Sequence, residues 1–324
     1  MPYKIICAGS LLGVKLKRFQ SSFPVGKVMI KYMSPMTFEE FLNAIGYQII
    51  IPEIKKCYEN NIKMSQPIHE KLLEYYRIFL CTGGMPVAVN NIIENKLEIL
   101  RFNHEFITSI IDAYLADMKK YTLNYYETVK IEKIYKNIPS QLAKENKKFQ
   151  FAKIEPNARI RDYESSLDWL IASQLVTPCY FVNRFETPLK GFMKEKKLKL
   201  YLSDTGILTE LLEIPRNKIL LNDNFQYKGV ITENYVANEL SANGYSLYYW
   251  AENQVAELDF LLDTSEGIVP IEVKANENNK SKSLNYYIEN NHPKLAIRIS
   301  ANNFGLTNHI KSVPLYAVFC IKNL

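Results

Sequence analysis

Three charged residues lie in segments of this sequence whose other residues predict buried β-strands. Asp259 interrupts the segment ELDFLL at residues 257–262, and Glu272 and Lys274 interrupt VPIEVKA at residues 269–275. An unpaired charge in a buried strand is costly, so each of these side chains must have a partner of opposite charge or a bound ion. A fold for this chain has to supply those partners.

A divalent cation is one such partner. Side chains two residues apart on a strand share a face, so Glu272 and Lys274 are expected side by side, with Asp259 on the preceding strand. Carboxylate oxygens suit Mg²⁺ or Mn²⁺, and the predicted metal ligands are Asp259, Glu272 and Glu233, the last from the preceding helix. Lys274 would orient a water molecule or stabilise charge in the transition state. The four residues are therefore candidate catalytic residues of a hydrolytic site.

A second interpretation needs no metal. Lys274 then forms a salt bridge with Asp259 or Glu272, and the charges are structural parts of a catalytically degenerate protein-interaction module. Buried ion pairs of this kind are common where no chemistry takes place. The residues alone leave both interpretations open.

Length and composition limit the classes of protein that fit. The chain has 324 residues, 47% of them hydrophobic, which predicts two or three domains. Its longest apolar runs fall short of the roughly 20 residues that a membrane span needs, and no signal-peptide pattern is present, so a cytoplasmic protein without membrane partners is expected. The 5 cysteines are far apart, which predicts neither a disulfide framework nor a zinc cluster.

The basic residues are concentrated in the middle of the chain. Residues 130–199 contain 15 Lys and Arg against 8 Asp and Glu, whereas the remainder has 25 against 26. Such a concentration is typical of phosphate contacts, although a solvated helical face gives the same count. DNA is therefore the expected partner, and the candidate contact residues are Lys144, Lys147, Lys148, Lys153, Arg159, Arg161, Lys194, Lys196 and Lys197.

The same segment suggests a helix-turn-helix with a wing. Helices are expected at residues 125–138, at 141–144 after a Ser140 cap, and at 162–175, and strands at 176–182 and 198–202 flank a Lys-rich loop at 190–197. The helix expected to read DNA carries Asp162, Glu164 and Asp168 and no Lys or Arg, so it would repel phosphates. The wing and the basic stretch 144–161 are the better contacts.

The flanking segments have their own patterns. Strands are expected at residues 3–8 and 27–32, followed by a helix that opens with a Thr37 and Glu40 capping box. Residues 53–125 have helical periodicity, broken at residues 82–86. From residue 229 the pattern predicts a compact α/β layer with helices at 232–242 and 283–289 and strands at 247–250, 257–262, 269–274, 295–299 and 315–319.

The order of the four charges resembles the PD-(D/E)xK nuclease superfamily, which has the restriction endonuclease-like fold. That pattern has a helix glutamate, an aspartate at a strand start, and Glu-x-Lys on the next strand, here Glu233, Asp259, Glu272 and Lys274. No proline lies near Asp259, where the superfamily name has one. The resemblance implies a metal-dependent nuclease.

Motifs along the whole chain are similar to those of the prokaryotic AAA+ ATPase family that carries a C-terminal DUF4143 domain. They are GSLL (9–12), FPVGK (23–27), MTFEEF (36–41), GGMP (83–86), YLSDTG (201–206) and ENYVANEL (233–240). The resemblance implies a multidomain protein of α/β and α+β class. Its expected parts are a C-terminal piece of the AAA+ core (1–45), a helical lid (46–125), a basic winged helix (126–215) and a restriction endonuclease-like domain (216–324).

In that family Ser10 would lie near the γ-phosphate of ATP. The chain has no G-x-x-x-x-G-K-[ST] motif and no acidic strand end before Ser10, so it corresponds to the part that follows the P-loop. ATP is expected to bind only to the full-length family members and not to this chain. Besides DNA, self-association or a partner that supplies the missing ATPase half is expected. The resemblance thus favours a DNA-associated C-terminal portion of an ATPase, with an active nuclease or a degenerate interaction module as alternatives.

Overall fold

The computed structural model describes residues 6, 9, 26–122, 124–144, 147–222, 225–252, 255–277, 281–322 and 324. These residues form a mixed α/β structure in which helices pack on an eight-stranded sheet. The predicted mixture of helices and strands is confirmed at this level. Apart from Ile6, the predicted strand at 3–8 lies outside the described residues, as does Ser10.

Helix α1 (Phe38–Ala44), the first in the described part of the chain, begins as the sequence predicts. Thr37 Oγ1 accepts a hydrogen bond from the Glu40 backbone N–H, and the Glu40 carboxylate accepts one from the Thr37 N–H, which completes the capping box. The predicted strand at residues 27–32 is wrong, because residues 28–34 have no regular secondary structure. A strand needs a neighbour for its backbone groups, and no described strand lies beside this segment.

Five further described helices follow α1 between residues 51 and 142, in agreement with the predicted helical region. They are α2 (Ile51–Asn60), α3 (Gln66–Thr82), α4 (Pro86–Glu94), α5 (Glu105–Tyr121) and α6 (Tyr125–Leu142). The predicted break before Ser140 is wrong, since α6 continues through Pro139. Pro139 lies in the last turn of α6, so its missing N–H removes only one hydrogen bond near the helix end. Ser140 Oγ donates a hydrogen bond to the Asn137 carbonyl at 3.0 Å.

The predicted wing is a hairpin that belongs to the main sheet. Helix α7 (Glu164–Ala172) leads into strand β1 (Val176–Val182), which pairs antiparallel with β2 (Met193–Leu202), and helices α8 (Thr205–Leu211) and α9 (Arg216–Leu220) follow. Helix α7 is shorter than the predicted 162–175. Strand β2 is longer than predicted, so Lys194, Lys196 and Lys197 lie on a strand and not in a loop.

The C-terminal elements agree with the predicted alternation except at the end. They are α10 (Lys228–Ala242), β3 (Leu247–Glu252), β4 (Ala256–Thr264), β5 (Gly267–Val273), α11 (Lys282–Asn291), β6 (Ala296–Ser300), β7 (Gly305–Thr307) and β8 (Ile310–Pro314). The strand predicted at 315–319 is wrong, because Leu315–Cys320 is a 3₁₀-helix. Residues 315–319 are all buried, and an apolar run buried on every side has no periodicity that separates a strand from a helix.

One sheet joins the hairpin to the C-terminal strands. The strand order is β2-β1-β3-β4-β5-β6-β8-β7, and β1 pairs in parallel with β3. The predicted boundary at residues 215 and 216 therefore separates strands of the same sheet. Separate winged-helix and endonuclease-like domains stay a prediction. Helix α10 packs on one face of the sheet with Phe260, Ile271 and Ile297, and α11 packs on the other with Leu258 and Ala296.

Two of the sequence motifs meet beside α8. Asp204 caps this helix, since its carboxylate accepts the Ile207 N–H at 3.0 Å, and it also accepts the Gly84 N–H at 2.7 Å. Gly84 leaves no room for a side chain, because an added Cβ would lie 2.1 Å from the Met36 carbonyl oxygen. The Asp204 carboxylate thus joins the YLSDTG segment to the GGMP segment, and the Gly84 backbone packs closely on Met36 and positions the chain ahead of α1.

Replacing Gly84 with alanine is expected to destabilise the protein by about 2–4 kcal/mol, because the new Cβ must displace backbone atoms. Gly191→Ala is the control, since nothing lies within 4 Å of a Cβ there. Chemical denaturation of both variants measures the difference. Equal stability of the two variants would refute the close contact.

Candidate functional site

Helix α10 carries the buried carboxylate at the centre of the candidate site. Glu233 is 2% exposed. Its Oε1 accepts a hydrogen bond from the Tyr201 hydroxyl at 2.5 Å and lies 3.2 Å from Lys199 Nζ, and its Oε2 accepts from Lys147 Nζ. Three donors thus converge on one carboxylate, which compensates its charge inside the protein.

The neighbouring residue fixes α10 to the edge of the sheet. Asn234 Oδ1 accepts the Leu202 N–H at 2.9 Å, and Asn234 Nδ2 donates to the Leu202 carbonyl at 3.0 Å. Strand β2 is the edge strand, so its outer backbone groups need partners from outside the sheet. Asn234 supplies them at Leu202 and holds Glu233 over the sheet.

Lys199 reaches across the sheet from that edge strand. Its side chain is fully buried, and its Nζ lies 4.9 Å from the centre of the Tyr249 ring on β3. The same Nζ pairs with Glu257 Oε1 on β4 at 2.7 Å. One ammonium group therefore links β2, α10 and β4.

Lys147 joins the site from the segment after α6. This segment adds to the outer edge of the sheet, since the Phe149 N–H donates to the Leu198 carbonyl at 2.8 Å. Besides contacting Glu233, Lys147 Nζ lies 3.9 Å from Asp259 Oδ1. The Lys147 ammonium group therefore lies within ion-pair distance of both carboxylates.

An irregularity in β4 places Asp259 on the α10 face. Tyr248 pairs with Leu261 and Trp250 with Leu258, so β4 has one residue more than β3 over this stretch. Asp259 Oδ2 accepts the Val273 N–H at 2.8 Å, in place of a backbone carbonyl. We call Lys147, Lys199, Tyr201, Glu233, Glu257 and Asp259 the Glu233 cluster.

The charges of the cluster shift one another's pKa values. Burial alone would raise the pKa of Glu233, but the Lys147 and Lys199 ammonium groups outweigh it and lower that pKa below its usual value. Burial and the nearby Glu233 charge raise the pKa of Asp259. Burial would lower the pKa of Lys147, yet the Glu233 and Asp259 carboxylates raise it. Burial likewise opposes the charge of Lys199, but the Glu233 and Glu257 carboxylates raise its pKa, so both lysines carry their charge at neutral pH.

Glu272 and Lys274 lie on the opposite face of the sheet. Their strand neighbours Ile271 and Val273 pack in the core under α10, so alternation directs Glu272 and Lys274 toward α11. Arg298, the register partner of Glu272, donates from Nε to Ser281 Oγ at the start of α11, which agrees with this placement. Lys274 Nζ pairs with Glu272 Oε1 at 2.7 Å, and Glu272 Oε2 is buried without a hydrogen-bond partner among the described residues.

The predicted metal ligands are therefore divided between two faces. Glu233 and Asp259 meet on the α10 face, where Lys147 lies beside both, and Glu272 belongs to the other face. Among the described residues, no group of three or more His, Cys, Asp or Glu side chains is arranged to hold a metal ion. This arrangement does not fit a Mg²⁺ or Mn²⁺ centre built from Glu233, Asp259 and Glu272, because an ammonium group already compensates the two carboxylates that do converge.

The residues predicted to contact DNA have two different environments. Lys147 is part of the Glu233 cluster, and Lys148 is half-buried. The others are exposed: Lys144, Lys153, Arg159, Arg161, Lys194, Lys196 and Lys197. Arg161 lies 3.8 Å from Asp162, and Lys197 lies over the Phe181 ring.

Lys199, Tyr201 and Glu257 were not predicted as site residues. Lys199 carried the same signal as Asp259, since it is a charge between two apolar strand residues, Leu198 and Leu200. Its contact with Glu257 across two intervening strands had no local signal, because the strand order decides it.

Two family models match this chain. The model of a domain of unknown function, DUF4143, matches residues 228–318, and that of a second domain of unknown function, DUF8612, matches residues 73–218. The first match confirms the DUF4143 domain predicted for the C-terminal part. No curated protein and no solved structure matches the chain.

The Glu233 cluster takes residues from both matched ranges. Lys147, Lys199 and Tyr201 lie within residues 73–218, and Glu233, Glu257 and Asp259 lie within 228–318. The cations of the cluster thus come from one range and its carboxylates from the other.

Within the described part of the chain, no helix has the length and apolar character needed to cross a bilayer.

Replacing Lys199 with methionine is expected to destabilise the protein by about 3–5 kcal/mol, because Glu233 and Glu257 lose a buried partner. Lys196→Met on the exposed part of β2 is the matched control and should change stability by about 0.5 kcal/mol or less. The double variant Glu233→Gln with Lys199→Met should lose less stability than the sum of the losses in the two single variants, as expected for contacting residues. Denaturant unfolding measures the wild type, the three single variants Lys199→Met, Lys196→Met and Glu233→Gln, and the double variant, and additive losses would refute the ion pair.

Proposed function

We propose that this chain is a DNA-associated module in which the nuclease-like charges are structural and not catalytic. The observation that carries this proposal is the Lys147 ammonium group, which contacts Glu233 and lies near Asp259. A divalent cation could bind these carboxylates only by displacing a half-buried, charged lysine. The Lys274–Glu272 pair is the salt bridge expected of a degenerate site.

The exposed basic strand supports the association with DNA. Lys194, Lys196 and Lys197 are exposed on the edge strand β2, and Lys190 is exposed in the turn before it. Setting aside the cluster residues Lys147 and Lys199, residues 130–199 keep 13 Lys and Arg against the same 8 Asp and Glu. A positive strand at a sheet edge can follow a phosphate backbone without reading its sequence.

The wider setting of the module is also part of the proposal. The DUF4143 match supports a C-terminal module of an AAA+ type ATPase, as the sequence motifs imply. In this proposal ATP is bound by an ATPase core supplied elsewhere, and the chain contributes DNA contacts. No ATP hydrolysis is assigned to the residues described here.

DNA binding by this module should depend strongly on salt. We expect the affinity for a double-stranded oligonucleotide to fall with rising NaCl, and the triple variant of Lys194, Lys196 and Lys197 to Gln to bind about tenfold more weakly with a shallower salt dependence. A triple variant of Lys56, Lys63 and Lys96 to Gln removes the same charge from exposed positions outside the basic segment. Fluorescence anisotropy measures both. Salt-independent binding, or equal losses in the two variants, would contradict the proposal.

The chain should not cleave DNA in the presence of Mg²⁺ or Mn²⁺. Supercoiled plasmid incubated with the protein and Mn²⁺ is expected to stay intact, for the wild type and for Lys274→Ala alike. Plasmid cleavage by the wild type that is lost in Lys274→Ala would instead support the active nuclease. A DNA-binding measurement on the same samples verifies that both proteins are folded and competent.

A further inference from the structure

A cavity of about 450 Å³ lies beside the C-terminal end of α10. The segment 32–37 forms one wall, and the end of α10, the start of β1 and the start of α8 form the others. The described lining residues include two carboxylates, Asp204 and Glu239, and no Lys, Arg or His. Apolar side chains complete the walls, among them Met36, Phe79, Ile171, Val176 and Pro178.

Glu239 is the unusual group in this cavity. It is 2% exposed, and its Oε1 accepts the Phe38 N–H at 2.8 Å. Its Oε2 is buried and has no hydrogen-bond partner within the described part of the chain. Asn238, the preceding residue, also lines the cavity, and its buried Oδ1 has no partner either. Two buried oxygen atoms without donors therefore belong to neighbouring residues that line the same cavity.

The electrostatic setting selects the kind of donor. Asp204 already accepts the Gly84 and Ile207 N–H groups, so it adds negative potential without needing a partner. Burial raises the pKa of Glu239 to about 8, although the Lys322 ammonium group, which pairs with Glu39, lowers it in part, and no cation of the described residues lies within 4.0 Å of the Glu239 carboxylate. A positively charged group would supply the missing hydrogen-bond donors to Glu239 Oε2 and Asn238 Oδ1, and its charge would stabilise the ionised Glu239 carboxylate.

We propose that this cavity binds an organic cation, a primary ammonium or guanidinium group on an apolar stem, through Glu239 Oε2 and Asn238 Oδ1. The stem packs against the apolar walls, and the charged group lies at the α10 end. The cavity volume lies within the range of small-molecule sites. This site is separate from the proposed DNA contacts on β2 and does not depend on them.

The cation can come from a free amine or from a lysine side chain of a partner protein. Both present an ammonium group on an aliphatic stem of similar length. Butylammonium represents the free amine, and Nα-acetyl-lysine N-methylamide represents the side chain. The one that binds more tightly identifies the source.

The test is direct binding of these two probes to the full chain, measured by saturation-transfer NMR and calorimetry. Neutral 1-butanol and anionic butyrate, which share the apolar stem, are the controls. We expect at least one cationic probe to bind about tenfold more tightly than butanol, and butyrate not to bind. If neither cation binds better than butanol, the proposal is wrong.

Two variants place the site at Glu239. Glu239→Gln keeps the shape of the side chain and should weaken cation binding by about tenfold or more, whereas Glu266→Gln, the same change beside another cavity, should have no effect. Asn238→Asp adds a second carboxylate and should tighten binding. Thermal unfolding verifies that each variant is folded. Unchanged affinity in Asn238→Asp would overturn the proposal even if Glu239→Gln failed to fold.

Discussion

The buried carboxylate of Glu233 is the constraint on which the arrangement of this molecule depends. A charge enclosed by protein is stable only when donors reach it, and its three donors come from the segment after α6 and from strand β2. Those donors bring the edge of the sheet under α10, while Glu257 and Asp259 draw β4 into the same network. The ranges that match two different family models are thereby held in one sheet.

The same requirement explains why the nuclease-like residues are proposed to be structural. Carboxylates on a helix and a neighbouring strand suit a metal ion, but they suit an ammonium group equally well, and here Lys147 and Lys199 provide two. Charge compensation by lysine leaves the cluster without need of a cation from solution. The basic excess that predicted DNA contacts is consequently divided, with part of it holding the fold and the larger part exposed on β2 and around residues 144–161.

Helix α10 shows how far the surroundings decide the chemistry of one residue type. Glu233 and Glu239 lie on the same helix and are equally buried. Glu233 is surrounded by donors, which lower its pKa, whereas burial without an ion-pair partner raises the pKa of Glu239. One carboxylate is therefore a completed part of the structure, and the other is an open position beside a cavity.

Local patterns determined most of the elements, including the Thr37 capping box, the helices between residues 51 and 142 and the strand alternation after residue 247. They also identified Asp259, Glu272 and Lys274 as charges that need partners. The predictions from these patterns were wrong where one pattern fits two structures, as at Pro139 and in the apolar run at 315–319. The partners themselves were decided only by the tertiary structure. The strand order carries Lys199 to Glu257, and one extra residue in β4 puts Asp259 on the face opposite Glu272, both set by contacts distant in sequence.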